Sequence, residues 1–513
     1  MQKSKLKGFG ASALILALGS LVCKIIGAVY RIPLTNLLGT TGMGTYQTVF
    51  PLFTILLTLS SGGITQAMSA LLSSADDNEK YNLLKAGTIQ VGLLGFLIGV
   101  LTFLFAPVFA FLQGAKNAEL GYRVLAPVIV ISGFSAVIKG YFQSKSNVYP
   151  TMLSNLIEQV TKLISGLSLG YYLLPKGIEY AIFGAFSGSL IGEICCFLFL
   201  LFRYSFSKDK PLKTLSTPIS YDFFRVLRAV IPIVSSGLIL PVCALLDSIS
   251  VINVLTLTNG SAFLATSKYG ILSGVVSTLI NLPVVFTVAL GVTVTPTLCK
   301  EKNSDGILQK ANLSAKLALF ICIPLSLILL VLSRPIISFL YPSLSAGEQS
   351  LSAKLLALST LGIAPLGITQ IYSALLYATG LGAKSTKNLI YSAFIKCLLT
   401  PFALYFFDIY GACIVSALCY FISAFLNYNT WKKVFGANRN FLRAFTKVLL
   451  IGIIATIPLF ILANKTNFLI LIGLSALVMV LYLYTTVRFG VFSDEEKKCL
   501  PFLKLVRTKK ENE

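Results

Sequence analysis

The chain has 513 residues, of which 56% are apolar and only 12% are charged. Soluble globular proteins carry about 25% charged residues, and the mean hydropathy of +0.83 applies to the whole chain. This composition excludes a water-soluble enzyme, a disordered scaffold and a secreted disulfide-rich module. Lys and Arg exceed Asp and Glu by 23 charges, and His is absent, which removes the commonest general base and metal ligand.

Apolar runs bounded by charged residues predict an all-α polytopic membrane protein with about 14 transmembrane helices, because roughly 20 residues cross the bilayer as a helix. The first run continues to Tyr30 and contains Lys24, so we interpret it as an uncleaved first span and not as a signal peptide. The loops are too short to hold a folded catalytic domain. The predicted spans are 10–32, 45–73, 83–112, 122–143, 151–174, 180–203, 226–256, 268–298, 310–332, 351–379, 388–407, 409–430, 442–463 and 467–487.

The basic residues are distributed unequally between the two sides of these spans. Of the 42 Lys and Arg residues, 30 fall on one side, 8 fall on the other and 4 lie inside spans. This asymmetry predicts a multi-pass protein of the plasma membrane with an even number of spans and both termini in the cytoplasm. Because the basic residues lie in short scattered loops and form no single stripe, nucleic-acid binding is not expected.

A faint internal duplication relates the two halves of the chain. Because each copy contains six spans, both copies begin on the same side, which predicts a pseudo-two-fold axis along the membrane normal. Two six-helix lobes around a central cavity, followed by two extra helices, are typical of a transporter. At nearly the same separation along the chain, the matches pair Tyr46-Gln47 with Tyr269-Gly270, Phe183-Gly184-Ala185 with Tyr410-Gly411-Ala412, and Asn155-Leu156-Ile157 with Asn388-Leu389-Ile390.

The duplication and the charge pattern together predict five segments. They are an N-terminal six-helix lobe at 1–205, a cytoplasmic inter-lobe linker at 206–221, a C-terminal six-helix lobe at 222–435, two extra transmembrane helices at 436–487 and a basic cytoplasmic tail at 488–513.

Ionisable residues inside the spans are the candidate site residues, because a charge at the bilayer centre costs about 2.5–3.5 kcal/mol. Lys24 and Arg31 are two helical turns apart, which places both on one helix face. Glu158 precedes Lys162 by one turn, a favourable spacing that fits a structural ion pair as well as a ligand site. The predicted substrate-binding residues are Lys24, Arg31, Glu158, Gln159, Lys162 and Lys268, and the candidates for coupling to a proton or a monovalent cation are Glu158, Glu193 and Asp247.

The deep basic residues predict an anionic cargo. A diphosphate is the natural candidate, because cationic groups bind phosphate strongly where the dielectric is low. We predict no enzymatic step, no resident metal and no cofactor. Three alternatives stay open: a cation- or proton-coupled multidrug exporter on the same fold, a membrane-embedded glycosyltransferase or ligase, and a non-transporting scaffold of a cell-wall synthesis complex. The enzyme would need an outer loop or a carboxylate cluster for acid–base chemistry.

Three blocks of sequence, together with the chain length and span count, point to a known family. The first is Tyr30-Arg31-Ile32-Pro33-Leu34 with Leu37-Leu38-Gly39, Gly42-Met43-Gly44, Tyr46-Gln47 and Phe50-Pro51-Leu52; the second is Gly140-Tyr141-Phe142-Gln143 with Tyr149-Pro150-Thr151 and Ile157-Glu158-Gln159; the third is Tyr269-Gly270, Gly274, Leu279-Ile280-Asn281-Leu282-Pro283, Ala289-Leu290 and Thr295-Pro296. Over roughly residues 10–430 the chain resembles the stage V sporulation protein B / polysaccharide transporter family. That family belongs to the multidrug/oligosaccharidyl-lipid/polysaccharide exporter superfamily and is related to lipid II flippases.

The resemblance implies alternating-access flipping of an undecaprenyl-diphosphate-linked precursor, lipid II or a related unit, from the cytoplasmic to the outer leaflet through a cationic central cavity. It implies a role in peptidoglycan or polysaccharide synthesis or in sporulation, with cell-wall synthesis proteins as candidate partners. Lys24 takes the place of a cavity arginine of the related flippases, and a second family arginine falls at Tyr30, beside Arg31. Lys268 falls near an eighth-span basic residue, and the last two helices would form a groove for the polyprenyl tail.

Overall fold

The computed structural model describes residues 2–207, 218–299, 301, 303–436, 441–463 and 466–492. Over these ranges the chain forms helices and no β-strand. Most of the predicted linker at 206–221, and the part of the predicted tail beyond residue 492, lie outside the described residues. The helices are α1 Gln2–Ser61, α2 Ile64–Ser74, α3 Asp77–Leu104, α4 Ala106–Leu112, α5 Glu119–Ser144, α6 Tyr149–Leu173, α7 Ile178–Ser205, α8 Ile219–Gly237, α9 Ile239–Asn259, α10 Ala262–Gly270, α11 Ser277–Cys299, α12 Ser304–Val331, α13 Ser333–Leu340, α14 Ala346–Ser359, α15 Ile363–Ala378, α16 Gly382–Phe407, α17 Ile409–Phe435, α18 Phe441–Leu462 and α19 Phe468–Arg488.

Twelve helical segments among the described residues are long and apolar enough to cross a membrane. The first segment passes through Gly39, where φ is 67° and the backbone leaves the helical conformation, so it contains two spans. Glycine is the residue that adopts this conformation without strain. α6 is also long enough at 25 residues, although Glu158 and Lys162 make it less apolar. When the first segment is counted as two spans and α6 is added, the number of spans is about 14. The all-α polytopic class predicted from composition is confirmed.

The described helices form two compact units. The first unit contains the chain up to Val275 together with Thr400–Ile409. The second contains Val276–Leu399 and the chain from Tyr410 onward. Because this grouping by contacts places α8 to α10 with the N-terminal helices, the lobes at 1–205 and 222–435 stay a prediction that rests on the sequence repeat.

Aromatic packing inside the first unit fixes the helices that carry the candidate site. Tyr46 of α1 stacks on Phe186 of α7 with ring centroids 4.4 Å apart. Tyr122 of α5 is fully buried beside them and donates a hydrogen bond of 2.9 Å to Gln113. Tyr30 of α1 donates to the carbonyl oxygen of Ala185 on α7 at 3.5 Å. The two contacts of Tyr46 and Tyr30 hold α1 against α7, and Tyr122 of α5 lies in the same buried cluster.

Also within the first unit, α1 and α10 cross with their backbones in contact. A Cβ added to Gly44 would collide with the carbonyl oxygen of Thr266, and a Cβ added to Gly270 would collide with the carbonyl oxygen of Thr40. Small residues at such a crossing allow helices to approach closely in a bilayer. The two glycines are therefore required by the packing.

The contacts at this crossing are reciprocal. Gly44 of α1 meets Thr266 of α10, and Gly270 of α10 meets Thr40 of α1. The internal duplication stays a prediction that rests on the sequence.

In the second unit, α12, α15 and α17 pack with α18 and α19 around one apolar core. Trp431 is almost fully buried and stacks on Phe435 with ring centroids 4.3 Å apart. Tyr482 of α19 packs against Phe320 of α12 at 5.4 Å. The two helices predicted at 436–487 are thus integral to the core of this unit.

Candidate transport site

The candidate site lies on α6 where this helix packs against α7. A Cβ at Gly192 of α7 would lie 2.7 Å from the carbonyl oxygen of Glu158, so this glycine allows the two backbones to approach closely. The next residue, Glu193, comes beside Glu158 as a result. One carboxylate oxygen of each glutamate and the sulfur of Cys196 all lie within 4.8 Å of one another.

Two residues of α5 stabilise this pair of acids. Ser135 Oγ donates a hydrogen bond of 2.7 Å to Glu193 Oε1. Lys139 interacts electrostatically with Cys196, Glu158 and Glu193. Glu193 is only 6% exposed, and a buried carboxylate is tolerated only with such partners.

Lys162 adds a basic group one turn after Glu158. Its ammonium nitrogen lies 5.4 Å from the ring centroid of Phe50 and 6.0 Å from that of Tyr30, within the range of cation–π attraction. Lys162 interacts electrostatically with Glu158 and with Arg31 of α1, but within the described ranges Glu158 and Lys162 form no direct ion pair. No described group accepts a hydrogen bond from the Lys162 ammonium. The half-buried ammonium therefore has free donors facing polar and aromatic side chains.

Gln159 and Lys24 are the next two predicted site residues. Gln159 Nε2 donates to Glu158 Oε1 at 3.4 Å, and Gln159 Oε1 lies 3.8 Å from the position of a Cβ on Gly27 of α1. Gln159 thus faces α1. Lys24 lies one turn before Gly27 and is exposed, and no described side chain pairs with it.

Lys268 and Asp247 lie on other helices of the first unit. Lys268 Nζ forms an ion pair of 2.5 Å with Asp408 Oδ2 and donates to Asn259 Oδ1 at 3.2 Å. Its charge is already balanced by this aspartate. Asp247 is half-buried on α9, and its role in ion coupling stays a prediction. The structure thus gathers Arg31, Glu158, Gln159, Lys162 and Glu193 on α1, α6 and α7, whereas Lys268 has a partner of its own.

Lys139, Ser135 and Cys196 are the residues of the site that sequence reasoning missed. The predicted fourth span, 122–143, contains Lys139, but this lysine was not among the candidate site residues. Ser135 and Lys139 are one helical turn apart, so both lie on one face of α5. This spacing is the sequence feature from which the two residues could have been predicted. The partners of Ser135 and Lys139 lie on α6 and α7. The spacing of residues within one helix cannot predict contacts between helices, so only the packing shows that these residues meet.

The fold of this chain is similar to that of solved membrane proteins named as a flippase and as a multidrug transporter. The structure is similar to that of the lipid II flippase MurJ in an inward closed conformation, with a TM-score of 0.73 at 20% identity over 93% of this chain and 99% of that chain. It is also similar to an inward-facing multidrug resistance MATE transporter, with a TM-score of 0.66 at 17% identity over 82% and 98% of the two chains. At these identities the similarity establishes the fold alone.

Residues 9–302, more than half of the chain, match the family described as polysaccharide biosynthesis protein, and the chain belongs to this family. It is 30% identical over 312 residues to stage V sporulation protein B of Bacillus subtilis strain 168, and the match spans 59% of each protein, less than two thirds of that relative's length. It is 25% identical to lipid II flippase MurJ of the same organism over 439 residues, 80% of each protein. An uncharacterized membrane protein of that organism, YabM, is 25% identical over 518 residues, 96% of this chain and 94% of that one. The family predicted from the three sequence blocks is confirmed.

Proposed function

We propose that this chain is a flippase that moves a polyprenyl-diphosphate-linked saccharide from the cytoplasmic to the outer leaflet by alternating access. The observation that carries the proposal is the half-buried Lys162 ammonium. It donates no hydrogen bond to any described group, and it lies near Arg31. Phosphate oxygens accept charge-assisted hydrogen bonds from such groups. Relatives named as a lipid II flippase and a sporulation protein support this class of cargo.

The balance of charge around Lys162 supports an anionic cargo. Lys139 lies near the two acids Glu158 and Glu193, and Lys162 lies near Glu158 and Arg31. With all five ionised the cluster carries one net positive charge, and a phosphate compensates it. An inside-negative membrane potential then favours outward movement of the bound anion by about 2.3 kcal/mol per charge per 100 mV. The positive charge of the cluster thus selects the cargo, and the negative charge of the cargo gives its movement a direction.

The proposal is tested with the purified full-length chain in proteoliposomes that contain a fluorescent polyprenyl-diphosphate saccharide. We expect faster exchange of the label between leaflets than in protein-free vesicles, and a comparison of lipid II with other polyprenyl-diphosphate sugars identifies the saccharide. Ethidium transport is measured in the same vesicles. Ethidium movement without lipid exchange would contradict the proposal and favour the multidrug exporter.

For Lys24→Ala we expect a smaller loss of flipping than for a substitution of Lys162. Lys24 is exposed and no described side chain pairs with it, whereas Lys162 is half-buried beside the rings of Tyr30 and Phe50. A charge contributes more to phosphate binding where neighbouring side chains exclude water. The measurement is the initial rate of lipid exchange in proteoliposomes at equal protein density. A loss at Lys24 that equals the loss at Lys162 would place the phosphate along α1 and contradict this ranking.

The coupling role belongs, in this proposal, to the adjacent acids Glu158 and Glu193. Two carboxylates this close repel each other, so a proton or a monovalent cation stabilises the pair. We expect Glu193→Gln to retain the Ser135 hydrogen bond and to abolish the dependence of flipping on an imposed pH or Na⁺ gradient. Asp247→Asn is the comparison variant, since Asp247 is the other candidate. Unchanged gradient dependence in Glu193→Gln would remove this acid from the coupling site.

A further inference from the structure

The second unit contains a cavity of about 450 Å³ between α13 and the start of α19. Cavities of this size hold small ligands or headgroups. Among the residues that the structure describes there, Arg334 is the charged one, and Ser338 and Asn467 add polar groups. The rings of Phe339 and Phe468 stack at 4.1 Å along the cavity. The cavity therefore combines one cation with hydroxyl, amide and aromatic surface.

Arg334 is available to a ligand. Its side chain is exposed, and over the described ranges it has no ion-pair partner. The Asn467 side chain does not cap α19, although it occupies the capping position. An arginine without a carboxylate partner presents five donors in a planar fork that matches phosphate oxygens. The chemistry at this cavity thus fits a phosphate group.

The position of the cavity indicates that this phosphate belongs to a lipid. The lining residues lie on α13, which follows the span α12, and at the start of the span α19, so we place the cavity at the ends of these spans, where headgroups are found. The adjoining turn of α19 presents Leu469, Ile470 and Ile472, which are 75%, 57% and 50% exposed. A lipid whose phosphate meets Arg334 has apolar surface beside it for its chains.

We propose that this cavity binds the phosphate-bearing headgroup of a membrane lipid, with the lipid chains along α19. The ligand chemistry is shared by an anionic phospholipid and by a polyprenyl phosphate carrier. None of the described residues around Lys162 lines this cavity. The headgroup cavity therefore shares no described residue with the phosphate site proposed for the cargo.

The test is native mass spectrometry of the full-length protein in detergent, titrated separately with phosphatidylglycerol, undecaprenyl phosphate and inorganic phosphate. We expect one lipid to bind at this site in the wild type and Arg334→Ala to weaken its binding about tenfold, since a charge-assisted phosphate contact is lost. Arg334→Lys keeps the charge but not the fork and should lie between the two. The matched control is Lys354→Gln, which removes an exposed charge from α14 outside the cavity.

Each outcome decides the proposal. Weakened binding of either lipid in Arg334→Ala, with Lys354→Gln unchanged, supports the site and identifies its lipid. If each lipid binds Arg334→Ala as tightly as it binds the wild type, the proposal is overturned. Binding of inorganic phosphate as tight as binding of the lipids also overturns it. If Arg334→Ala is poorly folded, Ser338→Leu tests the same cavity by filling it, and unchanged lipid binding in that variant overturns the proposal.

Discussion

Lys162→Met should lower the rate of precursor flipping about 10- to 100-fold, since a hydrogen bond from a charged group contributes about 1.5–3 kcal/mol. Methionine keeps the length and the apolar stem of lysine, so the variant removes the charge and retains the packing against Phe50. The measurement is the initial rate of lipid exchange in proteoliposomes. Lys162→Arg should retain part of the activity, because it keeps a cation in the same place.

A double variant separates cargo binding from a structural role of Lys162. If Lys162 only balances the charge of Glu158, then Glu158→Gln combined with Lys162→Met should restore flipping. If Lys162 binds the phosphate, the double variant should stay as slow as Lys162→Met. Lys396→Met is the matched control, because Lys396 is another half-buried intramembrane lysine on α16, outside the cluster. Normal flipping in Lys162→Met at equal expression would contradict the proposed cargo site.

The fold could be predicted from the sequence because bilayer thickness sets the length of each apolar run. Hydropathy alone does not give the number of spans at two places, and in each case the cause is one or two residues. Gly39 separates two spans by a single left-handed residue inside one long apolar run. α6 is polar because it carries Glu158 and Lys162, the residues proposed to bind the cargo. Charges inside an apolar run marked this helix as a candidate for function before its neighbours were known.

The sequence could predict which site residues share one face of a helix, but not which residues of different helices are in contact. The spacing of Glu158 and Lys162 places them on one face of α6, but it does not show that Glu193 of α7 lies beside Glu158. That contact depends on the close approach at Gly192. Lys268 was selected because it begins the eighth predicted span and falls near a basic residue of the related family. Its ion pair joins it to Asp408, which lies far beyond it in the chain. Partners this distant in sequence leave no periodic signal.

Gly270→Ala should destabilise the protein by about 1–3 kcal/mol, the range for overpacking of a close contact. The new Cβ meets the backbone carbonyl of Thr40, which cannot move aside as a flexible side chain would. Gly44→Ala should have a similar effect through Thr266. The measurement is the apparent melting temperature of the purified chain in detergent.

The control for this substitution is Gly473→Ala on α19, where nothing lies within 4 Å of the added Cβ. Alanine is the better helix former by about 1 kcal/mol, so Gly473→Ala should be neutral or stabilising, and the opposite sign at Gly270 isolates the collision. Since Gly44 and Gly270 act on the same helix crossing, the double variant should lose less than the sum of the two single losses, because the first Cβ already separates the helices. Strict additivity, or a stable Gly270→Ala protein, would show that α1 and α10 do not meet through these glycines.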